Sequence, residues 1–310
     1  MQALTTSELS LMLALPPAWV SAHAAPSAPS ALRWRRLGSE ERDSAVLLAC
    51  RQVETAVLAR ADRDGAARWE RGWSEILERV RREGASEEAL RPQYFRHDTI
   101  RLMGDYARVE EPDFEFRLYR LIADLVFRRF LSGLDGIAEF ACGTGINLLH
   151  LSKLFPGVGL AGYDWTVASQ EILGLIADKH DLDLASGRVD LWTGKGFDPA
   201  GLSRFRRLGI VTAHGLEQIG DQIAPFVNMV LALRPAVVVH IEPLVELYDS
   251  DRLFDALAAL YHRKRGYLRG LLPAIRRMRD QGTAEILLEQ RIGFGSAFHE
   301  GYSLLVWRPC

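Results

Sequence analysis

The sequence predicts an α/β fold: an open, mostly parallel sheet that closes at its C-terminal end with an antiparallel hairpin and is preceded by a helical N-terminal domain. Three observations predict it. The first is the stretch 137–149, IAEFACGTGINLL, followed by GLAGYD at 159–164, which together form a strand, a tight turn, a helix and a second strand. The second is the further β-type runs near Val189 and at 209–213 and 236–241, separated by helix-like segments. The third lies at the end of the chain, where 284–292 and 303–307 are β-rich and are joined by a segment beginning Gly293-Phe294-Gly295.

The N-terminal elements come first in order. Residues 1–38 read as a disordered leader rich in Ala, Pro and Ser. Its apolar run imitates a secretory signal, but no Lys or Arg precedes Arg33 and Pro16-Pro17 interrupts the run. From 39 to 130 the periodicity is helical. Ser39-Glu40-Glu41 marks a helix start, and Val46, Leu47, Val53 and Val57 repeat at helical spacing. Trp69, Trp73, Ile76, Leu77 and Val80 make a second apolar face, and a last helix over 114–130 leads into the first strand. Residues 131–310 then form the α/β domain. Tyr94, Phe95 and Arg96, just ahead of that domain, are expected to form a lid over a substrate.

The turn carries the chemistry. Gly143 and Gly145 permit backbone angles closed to other residues and bring the main chain close to a ligand at a helix N-terminus. Asp164 closes the second strand, where a carboxylate accepts from two ribose hydroxyls. Leu148 stands where a third glycine would admit a pyrophosphate, and Glu139 precedes the turn. That combination suits a nucleoside ligand with a cationic amino-acid end better than a dinucleotide.

E-x-x-C-G-T-G with an acid closing the second strand resembles the class I S-adenosylmethionine (SAM) methyltransferases, over a span from about Leu131 to the C-terminus. The resemblance implies SAM as cofactor, with Glu139 and the backbone of Gly143 and Gly145 at the methionine end. It implies Asp164 on the ribose, Trp165 against the adenine, and Asp190 with Leu191 at the adenine amino group, Asp198 being the competing acid. The C-terminal hairpin is also similar to this family's.

Strand ends at the carboxyl edge of an open sheet line the ligand side. His214 and Glu217 follow the fourth strand, Glu242 and Glu246 follow the fifth, and the final hairpin contributes Phe294, His299 and Glu300. Converging carboxylates suit a cationic acceptor, and protein arginine methyltransferases use a pair of glutamates in this way. Glu217 with Glu242 or Glu246 is therefore the expected clamp, and N-methylation of free L-arginine the expected reaction. For a hydroxyl acceptor, His214 or His299 would serve as base. Another small molecule, an RNA or a protein side chain is the alternative acceptor. His240, inside an apolar strand, reads as a satisfied core histidine.

Composition bounds the rest. A chain of 310 residues with 48% hydrophobic content buries a sizeable core, and a net charge of −2 gives no whole-chain case for nucleic acid. The basic run YHRKR at 261–265, with Arg269, Arg276, Arg277 and Arg279, reads as a solvated helix face. Cys50, Cys142 and Cys310 are too few and too scattered for a disulfide framework, so a reducing, cytoplasmic setting is expected. No metal-ligand spacing and no membrane span is read, so no metal is expected, and a homodimer is left open.

Overall fold

The computed structural model describes residues 1–24, 32–55, 58–61 and 65–310. The N-terminal part runs β1 (Gln2–Ala3), α1 (Thr6–Leu13), α2 (Pro17–Ala24), β2 (Arg33–Arg36), α3 (Ser39–Glu54), α4 (Gly65–Glu83), α5 (Glu87–Leu90), β3 (Thr99–Leu102), β4 (Asp105–Val109) and α6 (Phe114–Phe130). The α/β part follows as β5 (Gly136–Phe140), α7 (Ile146–Leu154), β6 (Gly159–Asp164), α8 (Val167–His180), β7 (Leu184–Arg188), β8 (Leu208–Ala213), α9 (Ile223–Leu233) and β9 (Val237–Glu242). It ends with α10 (Leu253–Arg265), α11 (Leu271–Asp280), β10 (Ala284–Ser296) and β11 (Tyr302–Pro309).

All these strands join one sheet in the order β1-β2-β4-β3-β10-β11-β9-β8-β5-β6-β7. From β9 to β7 the pairing is parallel, while β11 is antiparallel to both β9 and β10. Neighbouring strands cover both edges of β5, and helices cover both faces, so all five of its residues are buried. This is the class I methyltransferase arrangement, with the expected antiparallel hairpin at its C-terminal end. One core packs Leu121, Leu125 and Leu148 against Ile172 and Leu173, and the other packs Phe226, Leu272 and Trp307 on the opposite face.

Three expectations need correction. The leader is not disordered where it is described. Thr5 caps α1 in a reciprocal box with Glu8, and Leu9, Leu13 and Val20 are fully buried. Pro17 opens α2 at the helix position that tolerates proline best, so the interrupted apolar run is two core-facing helices. Residues 25–31 and Val57 lie outside the described residues.

Nor is 39–130 helical throughout. Thr99–Leu102 and Asp105–Val109 form a hairpin that pairs with the end of β10 through Phe294↔Leu102 and Ser296↔Ile100. The N-terminal segment therefore extends the same sheet. Finally, 293–295 is not the turn of the last hairpin. A register shift between Arg291 and Phe294, with Gly293 at φ 71°, lets β10 continue to Ser296, and the chain reverses over 297–301.

Buried titratable groups set an acid-base profile for stability. Burial holds His240 at about 3 and His262 at about 4, both neutral, and pushes Glu139 and Glu242 up to about 8. Glu139 and Glu242 bind more protons folded than unfolded between their ordinary 4.5 and 8, so on their account stability rises as pH falls through that window. The histidines bind fewer protons folded below 6.5, which subtracts stability as pH falls further. Urea midpoints should therefore peak on the mildly acidic side of neutrality and drop steeply below 4.5, where the carboxylates add nothing more. A midpoint that climbs steadily from pH 6 to pH 9 contradicts this balance.

Candidate functional site

The site is built where β5, β6 and β8 end. After Phe140 the chain turns through Ala141 (φ 55°), Gly143 (φ 52°) and Gly145 (φ 70°) before α7 begins. At Gly145 a side chain is excluded twice over, by the left-handed backbone and because a Cβ would lie 2.5 Å from Leu173 Cδ2. Asp164, at the end of β6, fixes the turn from below. Its Oδ2 accepts from Gly143 N at 3.0 Å, and its Oδ1 accepts from Thr166 N at 3.0 Å and Thr166 Oγ1 at 2.8 Å. Burial raises its pKa despite these donors.

Glu139 is 1% exposed. Its Oε1 accepts from Asn147 Nδ2 at 2.7 Å, and Asn147 is itself oriented by the Tyr119 hydroxyl at 2.8 Å. The other oxygen, Oε2, is buried with no hydrogen-bond partner. Burial pushes this carboxyl up to about 8. An unpartnered carboxylate oxygen at a cavity wall is a ready acceptor for an ammonium group.

Two adjoining cavities share Trp69, Trp73, Ala141 and His214. The first is lined by Asp164, Trp165, Val189, Leu191 and Trp192, which make a flat apolar slot with one carboxylate. The second is lined by Glu139, Gly143 and Asn147 together with Tyr94, Phe95, Tyr119, His214 and Tyr302. Glu139 thus lines one cavity, and Asp164 with the apolar slot lines the adjoining one.

Of the residues expected at the cofactor, Glu139, Gly143, Asp164, Trp165 and Leu191 line these cavities, and Gly145 shapes the turn. Asp190 is not at the wall. Its carboxylate accepts from Trp192 N and Thr193 Oγ1, both at 2.9 Å, which folds the turn that presents Leu191 and Trp192. Asp198 is exposed and accepts from Ala200 N.

The acceptor side differs more. His214 is at the wall, with Glu217 and His299 buried behind it. His214 Nε2 and His299 Nε2 approach Glu217 Oε2 at 3.3 and 3.7 Å. Burial pushes the Glu217 carboxyl upward, but His214, His299 and Arg265 outweigh it and hold it at about 2. Burial lowers His299.

The remaining glutamates hold other partners. Glu242 Oε1 accepts from Gly215 N and Leu216 N, which pins the loop after β8, while its Oε2 is buried without a hydrogen-bond partner and Glu242 is not among the residues lining either cavity. Glu246 accepts from Gly270 N at 2.6 Å. Glu300, fully buried, is bound in a charge cluster with Arg291, Arg101 and Asp255, so it cannot face an acceptor. Phe294 is likewise buried, stacked on Tyr302 beneath the cavity. Arg96 points to solvent, leaving Tyr94 and Phe95 as the aromatic part of the expected lid. His240 is a satisfied core histidine: Trp307 Nε1 donates to its Nε2 at 3.0 Å, and its Nδ1 donates to Thr212 Oγ1 at 2.8 Å.

Trp69 and Trp73, which the sequence reading gave only as part of an apolar helix face, are the main cleft residues it did not place at the site. Ile76, Leu77 and Val80 of α4 are buried, but the preceding turns hang over the cleft. Glu70 fixes that position by accepting from Val167 N (2.8 Å) and Ala168 N (2.9 Å) at the N-terminus of α8. The signal available was two tryptophans at helical spacing around an acid.

No family model and no curated protein matches the chain. Solved structures do. The [4+2]-cyclase SpnF aligns with TM-score 0.50 and 13% identity over 81% of this chain and 97% of its own. An O-methyltransferase family protein from Burkholderia thailandensis has TM-score 0.44 and 14% identity over 99% and 88%. Human N-acetylserotonin methyltransferase, in complex with SAM, has TM-score 0.40 and 12% identity over 99% and 87%. At such identities the likeness is one of fold, and a cyclase among the neighbours means that the reaction has to be argued from the site.

Proposed function

We propose that the chain is a SAM-dependent methyltransferase acting on a small molecule. The observation that carries this reading is Glu139 Oε2, a buried carboxylate oxygen without a partner, on the cavity adjoining the one lined by Asp164 and the aromatic slot. Those three features fit an amino-acid ammonium, a ribose diol and an adenine in that order. When bound, SAM supplies an activated methyl group. The protein's part is to hold the acceptor among Tyr94, Phe95, Tyr119, His214 and Tyr302 and to exclude water there with Trp69 and Trp73.

A small acceptor is favoured over RNA because the aromatics of the basic stretch are unavailable for stacking. Tyr261 and Tyr267 are buried against His299, while Arg269, Arg276 and Arg279 pair with Asp221, Glu289 and Asp280. A cationic acceptor, with free L-arginine as its named form, is the second reading. The aromatic wall and the low-pKa Glu217 behind it favour that reading, although Glu242, Glu246 and Glu300 are turned to other work.

Isotope-labelled SAM incubated with a pool of amino acids, amines, phenols and sugars tests the proposal. Label is expected in one small molecule; label appearing only in added RNA or protein overturns the small-acceptor reading. Tyr94, 36% exposed, can be removed without opening the core. Tyr94→Ala should raise KM for that acceptor about tenfold, the scale of a lost aromatic contact of about 1.5 kcal/mol, and leave SAM affinity unchanged. An unaltered KM would place the acceptor elsewhere.

A further inference from the structure

We propose that His214, Glu217 and His299 form a site for one divalent transition ion, zinc or a close neighbour of zinc, that opens onto the acceptor cavity. His214 and Glu217 lie three residues apart, at the end of β8 and in the short 3₁₀ turn after it, and the fold brings His299 to them from the loop between β10 and β11. One ligand atom from each lies within 4.8 Å of the other two. Bonds of about 2.0–2.2 Å to a common ion put such atoms roughly 3 to 3.5 Å apart. His214 Nε2 and His299 Nε2 stand 3.3 and 3.7 Å from Glu217 Oε2, so an ion would draw the three side chains inward.

Hydrogen bonding does not account for the cluster. Glu217 Oε2 and His299 Nε2 are both buried and both lack a hydrogen-bond partner. At 3.3 and 3.7 Å the two imidazole nitrogens stand farther from the shared oxygen than a good N–H···O bond allows. One carboxylate oxygen and two imidazole nitrogens converge, each offering a lone pair when unprotonated.

The surroundings orient those lone pairs as a coordination sphere requires. Gln218 Nε2 donates to Glu217 Oε1 at 2.7 Å, which occupies one carboxylate oxygen and leaves the other aimed inward. Ser296 Oγ lies 3.4 Å from His299 Nδ1, on the ring edge away from Nε2. The backbone of His214 is held at φ 55°, a conformation rare outside glycine and concentrated at functional positions. Beside it stands Gly301, where a Cβ would come within 2.9 Å of His214 Nε2. The glycine keeps that approach clear.

The donor set decides the kind of ion. Two imidazoles and one carboxylate suit zinc, cobalt, iron or nickel, whereas magnesium and calcium select oxygen. Three protein ligands leave coordination positions free, and His214 lies on the wall of both cavities. An ion here would take the acceptor's heteroatom and make it more acidic, as zinc does for water. The site stands on the three ligand atoms alone; only this use of the ion rests on the methyl-transfer reading.

Tag-free, chelator-stripped full chain titrated with Zn²⁺ by calorimetry and with Co²⁺ by visible absorption tests the site. Wild type should bind one ion per chain, with the intense d–d bands of a low-coordinate cobalt site. Glu217→Gln and His299→Ala, each removing one of three ligands, should weaken binding by more than the roughly 10- to 100-fold that losing an outer ligand support costs. Far-UV circular dichroism and urea midpoints, measured on the same samples, certify that each variant is folded, and SAM affinity is measured separately. If His299→Ala fails that check, His214→Ala, at a partly exposed position, takes its place. Absence of stoichiometric binding by wild type, or unchanged ion affinity in folded Glu217→Gln and His299→Ala, overturns the proposal. Ion binding without SAM binding would retain the site and remove the cofactor reading.

Discussion

Calorimetric titration of SAM at pH 7 should show proton release, and Glu139→Gln should abolish that release while weakening binding by about two to three orders of magnitude. Burial holds Glu139 at about 8, so most of its carboxyl is protonated at neutral pH in the free protein. An ammonium seated against Oε2 favours the ionised form, and the proton leaves to buffer. The observed heat should then vary with the ionisation enthalpy of the buffer, and affinity should rise from pH 6.5 to 8.5. The loss in Glu139→Gln follows from leaving a desolvated ammonium without its charged partner, which costs roughly 2–5 kcal/mol. Glu242, also raised to about 8, faces the Gly215–Leu216 backbone and should contribute nothing, so Glu242→Gln keeps the release. Equal heats in phosphate and Tris, with pH-independent affinity, would remove Glu139 from the cofactor's amino end.

What the sequence made legible is local. The turn at 141–145 and the acid at Asp164 are adjacent to their own strands, so spacing alone places them on one rim, and the final hairpin announces itself by composition. The short strands Thr99–Leu102 and Asp105–Val109 do not, because each is too brief for a period and the first carries an inward Arg101 that reads as surface. Arg101 is 1% exposed and is accommodated by Asp255 and Glu300, partners that no local pattern reveals.

The glutamates show the same limit in the site itself. Strand-end position put Glu217, Glu242, Glu246 and Glu300 on one edge, but only the folded chain shows what each carboxylate already holds. Three are bound to backbone amides or arginines, and the fourth sits behind His214. Trp69 and Trp73 fail for a related reason. An apolar stripe at helical spacing says that a helix has a buried side, and says nothing of where the core ends and a cleft begins.

Asp164→Ala should lower SAM affinity by about 1.5–3 kcal/mol, roughly 10- to 150-fold, the scale of lost hydrogen bonds to a buried charged group. The carboxylate already receives Gly143 N on one oxygen and Thr166 N and Oγ1 on the other, and it still lines the cavity. It therefore does two things, tying the glycine turn to β6 and offering further lone pairs to a diol. Affinity loss alone would not separate them, since a loosened turn weakens any ligand. Competition by adenosine and by 2′-deoxyadenosine separates them in a double cycle. Wild type should prefer adenosine about tenfold, whereas Asp164→Ala should bind both nucleosides equally, because the hydroxyl that is missing has no partner left to lose. Asp164→Asn should fall between, keeping one acceptor oxygen but turning an NH₂ toward Gly143 N or Thr166 N. If Asp164→Ala weakens both nucleosides and keeps the wild-type preference, the carboxylate only braces the turn, and the ribose is held by another group.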